Sequence, residues 1–306
     1  MIATIGLAAA GRGQGTELAV SVDYRYSAAF ISTISAPQGH TELVAFPLRG
    51  KSHQIPIRSA SGPFVYSPDG RALYGQCTPD PVRAGDPVKI ALCKIDLNSG
   101  HTTAVPGSSG LYAFNFAVAS NEDRILVAGV QRVGGDIRGL FEIALPGGGI
   151  RSVLQQSDVA PKSSWGHVSL SPDGKRAVAT HNGRVELIDI VHGSAEPLSG
   201  ELFMAAWSPD GKWLAAVEKG EEGRTILMDA KTLTRQWTFG TSELDWSPDS
   251  RYLLGLKPCD QYSGTLEAID VESGERMAIE SSKCQVNQAT TGWVRNDIYE
   301  GRKPEN

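Results

Sequence analysis

Four times this chain repeats one short phrase: Tyr66-Ser-Pro-Asp-Gly70, Leu170-Ser-Pro-Asp-Gly174, Trp207-Ser-Pro-Asp-Gly211 and Trp246-Ser-Pro-Asp-Ser250. The phrase has the chemistry of a turn. Proline presets φ, aspartate bonds nearby backbone, and glycine accepts the left-handed conformation that closes a hairpin. Apolar runs follow each copy, at 72–75, 176–179, 213–217 and 252–255, so each copy predicts a β-hairpin.

A second phrase is as regular: Ile95-Asp-Leu-Asn-Ser-Gly100, Ile188-Asp-Ile-Val-His-Gly193, Met228-Asp-Ala-Lys-Thr-Leu233 and Ile269-Asp-Val-Glu-Ser-Gly274, with weaker versions at 45–50 and 142–147. Asp189, Asp229 and Asp270 lie 40 and 41 residues apart, whereas Asp96 to Asp189 is 93, which leaves room for one unit between them. That unit is read at 116–123, where Ser-Asn-Glu-Asp stands in place of Ser-Pro-Asp-Gly. A repeat of this length made of four short strands is a propeller blade. The chain is therefore expected to be all-β, a six-bladed β-propeller of four-stranded antiparallel blades.

The ends predict how the ring closes. Strand-like runs at 17–23, 29–35 and 42–46 lack the Ser-Pro-Asp turn, and 292–299 carries the repeat's Trp and a polar turn before stopping. The C-terminal segment should pair with the first blade so that no sheet edge is left open. With 34 Gly and 17 Pro the chain is turn-rich, and only a turn or so near 155–160 has any helical character. The organisation expected is a tail or signal remnant over 1–15 and a single propeller domain over 16–306. The apolar run 2–10 resembles the core of a secretory signal but has no Lys or Arg before it, so a plain N-terminal tail stays open as well. The run is too short to span a bilayer, and 29 basic against 34 acidic residues without a Lys/Arg cluster leave no footprint for nucleic acid.

Cysteine placement bears on compartment. Aligning the blades on their aspartates puts Cys77 opposite Ala91 and one diagonal step from Cys93, on one sheet face. A diagonal pair needs a bulge or a small register change to bring its β-carbons together. Cys259 falls in the loop between the second and third strands of the last blade and Cys284 just after its fourth, on one rim. Two intrablade disulfides imply an oxidising compartment, periplasmic or secreted; four free thiols in a cytoplasmic protein are the alternative.

The aromatic-Ser-Pro-Asp-Gly phrase, the apolar strand after it and the Ile/Met-Asp turn resemble the TolB-type propeller repeat, which also occurs in the propellers of prolyl-oligopeptidase-type peptidases. The resemblance covers most of 59–282 and is strongest in the fourth to sixth units. It implies a propeller fold and, through TolB, the bacterial cell envelope. Two departures accompany it: only about fifteen residues precede the first predicted blade, where TolB has an α/β domain, and no Gly-x-Ser-x-Gly elbow occurs. The expectation is a stand-alone propeller.

Loops, more than framework, carry function in such folds. The long connections 76–89, 131–138, 155–166, 218–224 and 257–264 should share one face. Arg83, Arg132, Arg138, Trp165 and Tyr262 on that rim are the candidate binding residues for a protein partner; solvated loops without a partner are the alternative. The rival is a small-ligand, lyase or hydrolase site in the central channel, for which Asn115, His167 and Asp245 on the inner strands are the residues to test for convergence. No catalytic residue, metal or cofactor is assigned. The histidines are never spaced as metal pairs, and His53, His101, His181 and His192 fall at turns. The repeated aspartates sit one per blade, too far apart to act in pairs, and Trp207 and Trp246 read as packing between blades.

Overall fold

A computed structural model describes residues 24–34, 40–46, 53–57, 60–78, 90–132, 136–155, 165–220, 224–239, 245–259, 263–284, 286 and 290–300. These form six antiparallel sheets that succeed one another along the chain. The second, for example, runs Ser61–Tyr66, Ala72–Cys77, Ala91–Asp96 and Thr102–Ala104 from inside to outside. The third to fifth blades repeat this order, starting on the inner strands Leu111–Val118, Trp165–Leu170 and Leu202–Trp207. In the sixth, the described residues give three strands, and the expected inner strand is reduced to a single bridge, Trp246 to Leu253.

The turn phrase explains its own recurrence. In each copy the serine hydroxyl donates to the aspartate two residues on, at 2.7 Å for Ser67, Ser171 and Ser208 and 2.6 Å for Ser247. The aspartate then accepts the backbone N–H of Arg71, Lys175, Lys212 or Arg251, and the serine oxygen accepts that of the next residue. The closing residue has φ between +62° and +74°, glycine in three copies and Ser250 in the last. Ser250 keeps the strained conformation in exchange for a contact, because its hydroxyl accepts the Asp210 N–H of the neighbouring blade at 2.9 Å. In the third blade the phrase sits one residue earlier than Ser120 would place it. Ala119 and Glu122 close the turn, and Asn121 accepts the Asp123 N–H at 3.2 Å.

The outer hairpins are built as predictably. Asp96, Asp189, Asp229 and Asp270 each accept the N–H three residues ahead, at 2.7–3.0 Å. Strand residues alternate between two neighbouring blades, as the period of two requires. Leu73 packs toward the first blade and Tyr74 toward the third. This is why Ala72–Cys77 is buried at every position instead of at alternate ones. Six apolar clusters result, one at each boundary between successive blades and one between the sixth and the first.

The last of these boundaries closes the ring. Thr290–Arg295 lies innermost in the first blade and pairs antiparallel with Tyr26–Ile34, with Tyr26 opposite Arg295 and Ile31 opposite Thr290. The first blade is completed by His40–Phe46 and His53–Ile57. The predicted strand at 17–23 lies outside the described residues, as does the helical turn expected at 155–160 apart from Gln155, which instead ends the strand Gly149–Gln155. Helix is confined, among the described residues, to a 3-10 turn at Glu280–Ser282 and one turn at Asp297–Glu300, so no helix there is long and apolar enough to cross a membrane.

Both cysteine pairs are bonded, Cys77–Cys93 and Cys259–Cys284, with Cα separations of 5.9 and 5.7 Å. The register is the expected one, Cys77 opposite Ala91 and Gly75 opposite Cys93. The anticipated bulge is absent there: the bond spans the diagonal within an unbroken register.

Candidate functional site

Inner strands of five blades and the innermost segment of the sixth surround an axial cavity of about 410 Å³, within the range of small-ligand sites. Asn115, His167 and Asp245, from the third, fourth and sixth blades, all line it. Tyr66 and Thr291 join them, the latter from the closing strand.

Hydrogen bonds between adjacent blades hold this wall in place. Asn115 Oδ1 accepts the Val168 N–H at 3.2 Å, and Ser169 Oγ accepts the Trp207 N–H at 2.9 Å. Trp246 Nε1 donates to the Ala206 carbonyl and Trp293 Nε1 to the Asp245 carbonyl, each at 3.1 Å. The Thr291 hydroxyl donates to the Asp245 carboxylate. Tyr66 lies flat against Gly292, where an added Cβ would come within 2.2 Å of its ring. Any larger residue at 292 would push the ring out of place. Burial, and then the Asp245 carboxylate, push the Tyr66 hydroxyl well above its ordinary range, so it is a neutral O–H at physiological pH.

His167 differs from the other histidines. Its ring bonds the Ala205 backbone, Nε2 is covered without a protein partner, and burial lowers its pKa to about 4. The imidazole is thus neutral at pH 7. The unfolded chain takes up a proton near 6.5 that the folded chain refuses until about 4, so stability is complete above the first value and is lost as pH falls through the second. The loss amounts to roughly 3 kcal/mol. Hydrogen bonds from Ser99 and Ser171 hold Asp96 and Asp173 below the usual carboxylate range, so their contribution fades only at lower pH. Urea midpoints should therefore fall between pH 6.5 and 4 in the wild type and stay level there in His167→Gln; parallel curves would remove His167 as the cause.

The predicted docking face lies where the inner strands begin. Arg132 and Arg138 are exposed on it, while Arg83 and Tyr262 lie outside the described residues. Trp165 departs from the expectation. It is 7% exposed and stacks on His181 at 4.1 Å, so it packs between strands instead of presenting its ring to solvent. His181 correspondingly ends a strand, with Nδ1 3.1 Å from Glu186. Other side chains provide the exposed apolar surface: Tyr112 at 36%, Phe114 at 40%, Ile137 at 39% and Phe203 at 51%. Tyr112 meets Phe114 edge-on at 5.7 Å and lies under the Arg132 guanidinium at 5.6 Å. The signal for Tyr112 and Phe114 was present as aromatics at alternate positions of Leu111–Val118, but a register shift between Ala113 and Asn115 turns the third of them, Phe116, into the core.

Among the described residues no group of three His, Cys, Asp or Glu is placed to hold a metal ion. The cavity can hydrogen-bond and can offer one carboxylate. Six blades around such a channel make this a six-bladed β-propeller with a lined axial cavity.

Solved structures refine that class. The chain is similar to TolB from Acinetobacter baumannii, at 15% identity and a TM-score of 0.60, over 88% of this chain and 66% of that one. It thus spans about two thirds of that TolB's length. A TolB-type protein of Agrobacterium tumefaciens matches at 15% identity over 83% of this chain and 88% of its own, with a TM-score of 0.51. An oligogalacturonate lyase in complex with manganese matches at 17% identity over 78% and 72%, also at 0.51. No family model matches the sequence, and no curated protein matches it. The likeness is one of fold, that of TolB-type propellers.

Proposed function

We propose that this propeller is a non-catalytic binding module of the periplasm or cell exterior that docks a protein partner on the face where its inner strands begin. The observation that carries this reading is the exposed group Tyr112, Phe114 and Ile137 beside Arg132 and Arg138, with Phe203 on the same face two blades on. Aromatic and arginine side chains supply most of the energy of protein interfaces, because they bury large area with few rotatable bonds. The two disulfides support the compartment, since such bonds persist where thiols are not kept reduced.

Capture from cell-envelope extract by the wild type and by the triple variant Phe114→Ala, Arg132→Ala, Arg138→Ala tests the face. These side chains are exposed, so the variant should keep its melting temperature and lose the partner by about a hundredfold in affinity. An unchanged affinity in the variant would rule this face out. Arg83→Ala with Tyr262→Ala asks the same of the loops.

A further inference from the structure

A second cavity, of about 400 Å³, opens between the second and third blades on the face where their inner strands begin. Among the described residues its lining carries no charged side chain. The buried amide in that lining, Gln76, spends its bonding capacity on backbone: Nε2 donates to the Gly62 and Ala113 carbonyls, each at 3.1 Å, and Oε1 accepts the Ala113 N–H at 3.2 Å. Water in the pocket therefore finds few partners there, and an apolar group that displaces it gains free energy. The rim, by contrast, is charged. Gly110 donates its N–H to the Ile90 carbonyl and accepts the Arg132 N–H, each at 2.9 Å, so the Arg132 backbone stands two strand spacings, about 10 Å, from the pocket wall at Ile90. The Arg132 guanidinium lies 5.6 Å from the ring centre of Tyr112, which also lines the pocket. It meets Asp136 at 3.7 Å with both side chains more than half exposed, an ion pair weak enough for an incoming carboxylate to displace. Arg138 shares a cross-strand row with Tyr112 through Val130, is exposed, and has no acidic partner among the described residues.

We propose that this pocket is the anchor site of the docking face, and that it receives a large apolar side chain, of leucine or phenylalanine size, from a protein partner that carries an acidic residue beside it for Arg132. The inference rests on the docking-face reading and names the partner's chemistry. Charge complementarity selects the occupant: an uncharged pocket with a guanidinium at its edge matches an apolar residue next to a carboxylate and repels a basic segment.

Three capped peptides, Gly-Phe-Asp-Gly, Gly-Phe-Asn-Gly and Gly-Ala-Asp-Gly, titrated while the methyl resonances of Thr78 and Ile90 are followed, test both parts of the site. The first should bind at least tenfold more tightly than the third and about threefold more tightly than the second. Arg132→Gln should level the first two. Thr78→Trp, which fills the pocket from an exposed position, should abolish binding of all three, and Ser61→Trp carries that test if Thr78→Trp does not fold. Equal binding of the first and third peptides, equal binding of the first and second, or no shift with any of them at tens of millimolar would overturn the proposal. Partner capture tells its failure from that of the docking face. Capture that survives Thr78→Trp but is lost in the triple variant of the docking face would overturn the anchor alone, whereas capture that survives both would overturn the face as well.

Discussion

Trp293→Ala is expected to lose about 3–5 kcal/mol of folding stability, the range for emptying a large aromatic from a packed core. Trp293 is 2% exposed, stacks on Tyr252 at 6.2 Å and meets Tyr24 edge-on at 6.1 Å. Its indole also donates to Asp245 of the sixth blade, so one side chain on the closing strand fills the last boundary and ties it. Domains are stable by only about 5–15 kcal/mol, so a loss of this size is a large share of the total. Trp293→Phe keeps most of the volume and forfeits the N–H, and should cost about 1–2 kcal/mol. Urea unfolding of the two variants measures both. A loss below about 1 kcal/mol in Trp293→Ala would mean that strand pairing alone seals the ring.

Removing either disulfide should cost about 3 kcal/mol, because Cys77–Cys93 and Cys259–Cys284 close loops of 16 and 25 residues in the unfolded chain. The double-serine variants change no packed apolar residue beyond the sulfurs themselves. Cys77 and Tyr112 line one pocket, so the Cys77→Ser, Cys93→Ser pair should also weaken partner binding more than Cys259→Ser, Cys284→Ser. Unfolding midpoints with and without a reducing agent read the stability term directly. Midpoints that do not move on reduction would show that the thiols are unbonded in solution.

The fold was legible because its turns are chemical devices written in the sequence. A serine, a proline and an aspartate in order specify a set of hydrogen bonds that does not depend on distant residues. Where the device is degraded the reading slipped: in the third blade Ser120 looked like the first residue of the phrase, yet Asn121 does the work of the aspartate. The disulfide register was legible for the same reason, but the tolerance of a diagonal bond was not. Asn115, His167 and Asp245 could be named from their places on inner strands, and they line one cavity. Thr291 was out of reach, because its membership depends on which blade the C-terminal strand enters and how far in it sits. Trp165 was misread as a solvent-facing anchor because the ring of His181 that covers it comes from the next strand.

The seam in the first blade has a mechanical meaning. Tyr26 and Arg295, where the described chain enters and leaves the ring, face each other at the same end of one antiparallel pair. Tension applied between the two ends therefore does not load the whole strand pair in shear. It falls on the rungs in succession, beginning with Tyr26 and Arg295 and running toward Ile31 and Thr290, so that the ring opens like a zip when it is pulled.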